Sequence, residues 1–391
     1  METKGLMQDT DDWEVLKRFL PVGWEGMAKQ SGALRRLRGF ANAETLLRVL
    51  LIHLAEGCSA RETVVRARLG GLAEVSDVAL LKRLKGAGEW LRWMAEAVMR
   101  SWTVVKPAEV FGEGTVVRVV DATVVHEPGA TGSTWRFHYA VRLPSLQCDE
   151  VHLTSSRVGE SFKRFHVQPG DVVIADRGYA HPAGIGWVIE AGADVLVRIN
   201  LTNVPLRNRT GAAFPLLEAL RQLKAGQTGE RDVWLDLPQG LVPARLCAAK
   251  LSRAAADRAG KRALRENNRK GHRMRPETLE AAGYVMVVTT LPRNRLRTTN
   301  VLELYRGRWQ VELAFKRLKS LLDLGHLKKT DPDAARSWLH GKLLVAFLIE
   351  ALISAGQLFF PWGYPLDAHP SSQPLPLAGN LIHDPSHPTD H

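Results

Sequence analysis

The 391-residue sequence has few cysteines and no recognisable pattern among them. The three, Cys58, Cys148 and Cys247, lie far apart and form no Cys-x-x-Cys pair. Their number and spacing argue against a disulfide framework and against a zinc site, and they fit a reducing cytosol. We therefore expect a cytoplasmic protein whose chemistry depends on residues other than cysteine.

Neither a leader segment nor a membrane span is expected from the sequence. The first residues, METKGLMQDTDDWEVLKRF, carry neither a basic n-region nor an apolar h-region, so no signal peptide is expected. The most membrane-like run, residues 343–360, is interrupted by Glu350 and is better explained as a buried core helix. No membrane partner is expected, and we find no internal repeat.

Acidic residues are outnumbered by basic ones. The chain has 53 Lys and Arg against 41 Asp and Glu, which gives a net charge of +12. Such an excess favours a polyanionic partner over a small acidic substrate, although an ordinary solvated surface can have the same charge. The length and the 45% apolar content indicate a soluble globular protein of two or three domains.

Residues 1–105 are predicted to be helical. Ser59 with Glu62 has the spacing of a capping box, and Gly70-Gly71 ends the helix that follows it. Short helices on either side of these glycines resemble a helix-turn-helix. The seven-residue connector is long for that motif, so a small helical bundle explains the pattern equally well.

The apolar period then changes to that of β-strands. Residues 115–125 form a β-branched run too apolar for an edge strand, and Asp121 interrupts it. Burying a carboxylate in such a strand is costly unless a cation or several donors compensate. Asp176 follows the strand 172–175, at the kind of strand end where open α/β sheets build their sites. An Asp that merely caps the next turn is the alternative.

Residues 201–283 are predicted to form an insertion subdomain. A β pair at 231–237 and 244–250 is followed by a strongly basic helical segment. So large an excess of positive charge favours contact with phosphates, and a solvated helix is the alternative. The cations that we expect to bind DNA are Arg262, Arg265, Arg269 and Lys270.

The stretch YRGRWQVELAFKRLK at residues 305–319 has the period of one amphipathic helix, with Asn300 and Glu303 predicting a capping-box start. A second stripe lies beside the apolar one. Its carboxylate can hold a hard cation while the flanking cations and the phenol bind phosphates, although ordinary i,i+4 charge pairs are the alternative. The stripe consists of Tyr305, Arg308, Glu312 and Lys319.

These motifs together resemble the DDE transposases of bacterial insertion sequences, in the insertion-sequence-four family. Asp121 stands in a V-x-D-A-T context and Asp176 in D-x-G-Y. The stripe residues reproduce the family signature Y-x2-R-x3-E-x6-K without a gap, with Glu312 as the third acid.

The resemblance implies an α/β fold: an RNase H-like core, a mixed sheet flanked by helices, with a β-rich insertion and an all-α N-terminal region that binds DNA. The core would comprise residues 110–200 and 284–360, and the remaining residues 361–391 would be a disordered tail. Two Mg²⁺ ions, replaceable by Mn²⁺, would be held by Asp121, Asp176 and Glu312.

The resemblance also implies the partners. They would be double-stranded DNA, as terminal inverted repeats and target, bound by a homodimer on paired ends in the bacterial cytoplasm and on the nucleoid. Tyr305, Arg308 and Lys319 would contact DNA. Trp234 would stack on a flipped base, with core packing as its alternative role. An inactive or host-retained DNA-binding derivative and a structure-selective nuclease remain rival functions.

Overall fold

The computed structural model of the chain describes residues 12–101, 115–126, 133–143, 145–269, 271, 273–309, 327 and 331–358. The chain divides into two compact units, Leu20–Phe347 and a smaller one made of Met1–Phe19 and Leu348–His391. In the smaller unit the described residues are α1 (Asp12–Lys17), the two residues after it, and the end of the last helix. All elements that position the candidate site belong to the larger unit.

The first part of the larger unit is all-α, as predicted. The rings of Trp24 and Trp90 stack at 6.1 Å, and the Trp90 indole donates to the Trp24 carbonyl at 2.8 Å. Ser59 caps its helix by accepting the Glu62 N–H, but the Glu62 carboxylate pairs with Arg66, so only half of the predicted capping box forms. The helices are α2 (Trp24–Gln30), α3 (Ala43–Ala55), α4 (Ala60–Leu69), α5 (Asp77–Gly86) and α6 (Gly88–Ser101).

A mixed five-stranded sheet follows, in the order β3-β2-β1-β4-β5. β1 pairs antiparallel with β2 and parallel with β4, and β4 pairs parallel with β5. This order and these directions are those of the RNase H-like fold, so the predicted fold class is confirmed. The strands are β1 (Val117–His126), β2 (Ser133–Leu143), β3 (Cys148–Ser155), β4 (Val172–Ala175) and β5 (Asp194–Arg198), with α7 (Pro182–Glu190) between the last two.

The inserted strands extend this sheet. β9 pairs antiparallel with β5, and the order continues β9-β8-β7-β6 to give nine strands within the described residues. We call β1 to β5 the core half and β6 to β9 the extension half. The extension half and its helices are β6 (Leu206–Arg207), α8 (Leu216–Arg221), β7 (Thr228–Leu237), β8 (Gly240–Lys250), α9 (Arg253–Arg269), α10 (Pro276–Ala281) and β9 (Tyr284–Thr289).

The two faces of the sheet differ. Alternate residues such as Val120, Val173 and Val195 point into one hydrophobic core that continues under the extension half through Val233 and Leu235. The opposite face carries Asp121 and is the side on which α11 (Thr298–Arg306) packs against β5, β7 and β8. We call this the site face.

Helix α11 begins and ends at other residues than predicted. It begins at Thr298, with Arg297 as N-cap and no side-chain cap hydrogen bond, so the capping box at Asn300 is wrong. It ends at Arg306, and Gly307 and Arg308 form a turn, so residues 305–319 are not one continuous helix. Glycine is a poor helix former, which explains a break at Gly307.

The last helix, α12 (Pro332–Leu358), begins with Asp331 accepting the Ala334 N–H at 2.8 Å. It packs closely on α3, because a Cβ added at Gly341 would lie 2.5 Å from Leu54. Residues Pro332–Ala355 are long and apolar enough to cross a membrane by length and composition alone. However, 67% of their most apolar window is buried inside the protein, as in a core helix.

Candidate active site

The strand register brings Asp121 and Asp176 side by side on the site face. Val117 pairs with Val172 in the parallel ladder, and each Asp lies four residues further along its own strand. Val172 pairs with Asp194 in the next ladder, and the same offset places Arg198 beside Asp176. Two carboxylates and a guanidinium therefore form a row across three parallel strands, in the middle of β1, just after β4 and at the end of β5.

Asp121 is poorly compensated for a buried carboxylate. Its Oδ1 accepts the Ala122 N–H at 2.8 Å, and its Oδ2 lies 3.4 Å from Nη1 of Arg308. Burial raises its pKa to about 6, against the lowering effects of these two donors, and the charges of Glu160 and Asp176 raise it further. Near neutral pH this side chain is poised to gain from a bound cation.

Asp176 follows β4 directly and is better satisfied. Burial alone would raise its pKa, but the Arg177 N–H, the charges of Arg308 and Arg198 and the Tyr305 hydroxyl outweigh burial and hold the pKa below its usual value. The Tyr305 hydroxyl donates to Oδ1 at 3.0 Å. Asp176 is therefore ionised across the neutral range.

Helix α11 and the turn after it supply the partners of both carboxylates. Tyr305 is buried, and burial first and the charge of Asp176 second raise its pKa to about 12, so the phenol stays protonated and remains a donor. The Arg308 guanidinium lies 5.9 Å from the centre of the Tyr305 ring. Four of the residues predicted from three distant motifs thus meet at one place.

Three predicted site residues lie outside the described part of the chain. These are Glu312 and Lys319, which complete the stripe, and Lys270 at the end of the basic segment. Within the described residues, no group of three or more His, Cys, Asp or Glu side chains lies at metal-holding distance. Asp121 and Asp176 alone therefore form the described part of a possible metal site.

The basic helix α9 lies close to this row. Glu266 reaches Arg177, the neighbour of Asp176, with Nη2 and Oε2 3.8 Å apart. Arg262, Arg265 and Arg269 are exposed, and Arg262 and Arg269 share the face of α9 that carries Glu266. Arg262 and Arg269 therefore lie on the side of α9 that reaches Arg177.

Trp234 lies half-buried on β7, opposite Arg207 and Pro243 on the neighbouring strands. Its neighbours Val233 and Leu235 point into the hydrophobic core, so alternation places Trp234 on the site face. Trp234 therefore does not belong to that core, and base stacking and packing on the site face both stay predictions.

Sequence reasoning missed two residues of this site. Arg198 could have been found by extending the strand offsets, because it ends β5 at the position that matches Asp176, the residue after β4. Glu160 lies in a loop between β3 and β4 without any local pattern. Burial first and the charge of Asp176 second raise its pKa, against the charge of Arg136, so it belongs to the same electrostatic environment.

The donor chemistry fits a hard divalent cation. Carboxylate oxygens are the ligands that Mg²⁺ and Mn²⁺ prefer, and Asp121 and Asp176 are held by a fixed sheet rather than by loops. The high pKa of Asp121 shows a carboxylate that the protein itself leaves under-neutralised. A cation beside it would offset both its burial and its repulsion from Asp176.

Comparison with known proteins gives consistent matches. The family described as the transposase DDE domain matches residues 158–348. The transposase InsL of insertion sequence element IS186A, from Escherichia coli strain K12, is 37% identical over 361 residues, which are 90% of this chain and 96% of that protein. The transposase of IS421 from Escherichia coli is 36% identical over 362 residues, with the same shares.

Among solved structures, one match is a piggyBac transposase in a synaptic complex with hairpin DNA, determined by cryo-electron microscopy. The alignment has a TM-score of 0.40 and 10% sequence identity, and it covers 91% of this chain and 69% of that one.

Proposed function

The chain belongs to the DDE transposases of bacterial insertion sequences, and on that premise we propose that Asp121, Asp176 and Glu312 are its catalytic, cation-binding residues. Its function is DNA transposition of an insertion sequence. The proposed route is cut-and-paste: hydrolytic cleavage at the element's ends, then joining of the freed 3′-hydroxyl to target DNA. The finer assignment to the insertion-sequence-four family depends on the signature residues Tyr305, Arg308, Glu312 and Lys319.

One observation supports this proposal more than any other. Tyr305 and Arg308 are separated from their carboxylate partners by 129 and 187 residues, yet they contact Asp176 at 3.0 Å and Asp121 at 3.4 Å. No local structure can hold such distant residues together. The contacts also join three motifs that were identified separately, as a shared active site would require.

Two Mg²⁺ ions, or Mn²⁺ in their place, are the proposed cofactor, held by Asp121, Asp176 and Glu312. When bound, such ions activate a water or a 3′-hydroxyl as nucleophile and stabilise the leaving oxygen. The proposed reaction passes through no covalent protein–DNA intermediate, so we propose no Ser or Tyr nucleophile.

Two neighbouring side chains orient the carboxylates and compensate part of their charge. Tyr305 holds Asp176 in one orientation and favours its ionised form, as a donor to a charged acceptor does. Arg308 lies against Asp121 and partly offsets its charge. When a bound cation offsets the charge of Asp121, the Arg308 guanidinium can turn to a phosphate oxygen. The planar donors of a guanidinium suit such an acceptor.

The substrate is double-stranded DNA, as terminal inverted repeats and as target. Arg262, Arg265 and Arg269 bind its phosphates next to Asp176, and Lys319 and Lys270 add to that contact. Trp234 stacks on a base flipped from the duplex. By family resemblance the protein acts as a homodimer on paired ends, in the bacterial cytoplasm.

The test is incubation of the full chain with Mg²⁺ and linear DNA that carries the flanking inverted repeats. We expect released element ends and strand-transfer products, and no products in Ca²⁺, whose larger, looser shell positions reacting oxygens poorly. Cuts without joining would indicate a structure-selective nuclease instead. Binding without cuts in either metal would contradict the proposal and indicate an inactive DNA-binding derivative.

A further inference from the structure

Glu160 is a half-buried carboxylate beside the proposed cation site. Among the described residues its side chain accepts no hydrogen bond and forms no ion pair. A half-buried carboxylate in that condition is costly unless a water or a cation compensates. Burial raises its pKa, the charge of Arg136 lowers it in part, and the charge of Asp176 raises it again, so its charge is only partly compensated.

The backbone of Glu160 is fixed against the turn that carries Asp176. The Glu160 carbonyl lies 3.1 Å from Nε2 of His181, the residue whose other ring nitrogen caps α7 by accepting the Gly184 N–H. Two residues after Glu160, the Phe162 ring packs on Tyr179 at 5.4 Å. These contacts place the Glu160 side chain over the D-x-G-Y turn.

Gly178 provides the space that the Glu160 carboxylate occupies. A Cβ built on Gly178 would lie 1.9 Å from Oε2 of Glu160, a distance at which the carboxylate has to move. The φ angle of Gly178 is not positive, so a larger residue is excluded by Glu160 and not by backbone conformation. The glycine of D-x-G-Y therefore admits a third carboxylate to the neighbourhood of Asp176.

A second, independent feature lies at the same place. The Tyr179 hydroxyl is fully buried and has no hydrogen-bond partner in the part of the chain that the structure describes. Burial first, then the charges of Asp121 and Glu160, raise its pKa, so the phenol lies in the field of both carboxylates. Buried polar groups are normally satisfied, so the open Tyr179 hydroxyl indicates an ordered water at this place.

From this geometry, and resting on the proposed function, we propose that Glu160 is a positioning residue of the active site, which holds the water shell of the cation bound by Asp121 and Asp176. An outer-shell role fits the absence of a three-acid group at metal-holding distance among the described residues. Mg²⁺ keeps several of its waters in proteins, and carboxylates that hold such waters orient the site.

The test measures Mn²⁺ affinity of the full chain without DNA, from the free Mn²⁺ signal in electron paramagnetic resonance. We expect Glu160→Gln to weaken Mn²⁺ binding by roughly 10- to 100-fold, the usual cost of losing an outer-shell partner. Glu190→Gln, which changes an exposed carboxylate at the end of α7, is the matched control and should bind as wild type. A Glu160→Gln variant with unchanged affinity would overturn the inference.

A double-variant cycle excludes a merely structural effect. Gly178→Ala should weaken Mn²⁺ binding because its methyl group displaces Glu160, and it should have no further effect in a Glu160→Ala background. An equal effect of Gly178→Ala in both backgrounds would contradict the inference.

Asp121→Asn and Asp176→Asn in the same titration separate the two proposals. If both weaken binding while Glu160→Gln does not, only the role of Glu160 is wrong. If neither weakens binding, the proposed cation site itself is wrong.

Discussion

Each half of the sheet has a carboxylate beside an arginine on the site face. The two carboxylates differ in how well hydrogen bonds and neighbouring charges compensate them. In the extension half, Glu230 accepts two hydrogen bonds from Arg245, both at 3.0 Å, and Arg245 also donates to the carbonyls of Leu291 and Leu296. In the core half, Asp121 has Arg308 at 3.4 Å and one backbone N–H.

The pKa directions follow from these contacts. The hydrogen bonds from Arg245 come first among the causes that lower the pKa of Glu230 to about 2, against its burial. Burial dominates at Asp121 and raises its pKa to about 6. A buried acid that is fully paired is costly to unpair, whereas a buried acid left short of partners is a candidate functional group. The comparison therefore agrees with a structural role for the Glu230–Arg245 pair and with the proposed chemistry at Asp121.

The largest expected effect is the loss of DNA cleavage when a proposed catalytic acid is substituted. Asp121→Asn, Asp176→Asn and Glu312→Gln keep shape and remove charge, so each should lower Mg²⁺-dependent DNA cleavage by at least about 10³-fold. Binding of element ends in EDTA should survive, because phosphate contacts come from basic residues. The check is a cleavage assay beside a gel-shift assay. Near wild-type cleavage by any one variant would remove that residue from the site.

Glu230→Gln should have the second-largest effect, on stability instead of chemistry. Removing one member of a buried ion pair leaves the Arg245 charge uncompensated, which costs about 3–5 kcal/mol. We expect a clear fall in the melting temperature, with cleavage well below that temperature close to wild type. Replacing the pair by Leu and Met should cost less. Lost cleavage in a folded Glu230→Gln variant would contradict the division between the halves.

The two aspartates should respond oppositely to pH when no metal is present. The folded pKa of Asp121 is raised, so its ionised form destabilises the fold as pH rises from 3.8 to about 6. Asp121→Asn should therefore stabilise by at most about 3 kcal/mol at pH 7.5 and by nothing near pH 3.5.

The pKa of Asp176 is lowered, so its charge contributes stability above 3.8, which is lost in more acidic solution. Asp176→Asn should lower the melting temperature at pH 7.5. Thermal unfolding in EDTA across pH tests both directions, and a parallel response of the two variants would contradict the environments described.

The smallest expected effect concerns α9, whose arginines make the extension half more than a structural support. Changing Arg262, Arg265 and Arg269 to Gln should reduce the log–log salt slope of DNA binding by about 0.9 for each lost phosphate contact. The matched control changes Arg209, Arg221 and Arg231, which are also exposed and in the same half. Equal slopes for the two triple variants would make α9 an ordinary solvated helix.

Local patterns predicted much of the fold and half of the site. The β-branched runs placed β1 and β4, and the acids inside or after them marked Asp121 and Asp176, because strand period and burial cost are read locally. The β7–β8 pair was also predicted. Its attachment to the core sheet through β9 was not, because pairing between distant strands leaves no local signal.

Other features needed the three-dimensional structure. The approach of Tyr305 and Arg308 to the aspartates follows from no local pattern, and only the family resemblance indicated it. The apolar period at residues 305–319 predicted one helix, whereas Gly307, a visible helix breaker, ends it. Glu160 has no sequence signal, since its position depends on the space at Gly178.

We propose that Asp121 and Asp176 bind the divalent cation that drives DNA cleavage. Replacing a hard oxygen ligand by a softer sulfur ligand tests this binding most directly. Asp121→Cys and Asp176→Cys replace a hard oxygen by a sulfur that Mn²⁺ tolerates better than Mg²⁺. The account predicts that both variants cleave element ends in Mn²⁺ but not in Mg²⁺, while the Asn variants fail in both. Equal failure of the Cys variants in the two metals, or equal cleavage, would contradict direct binding of the cation by these residues.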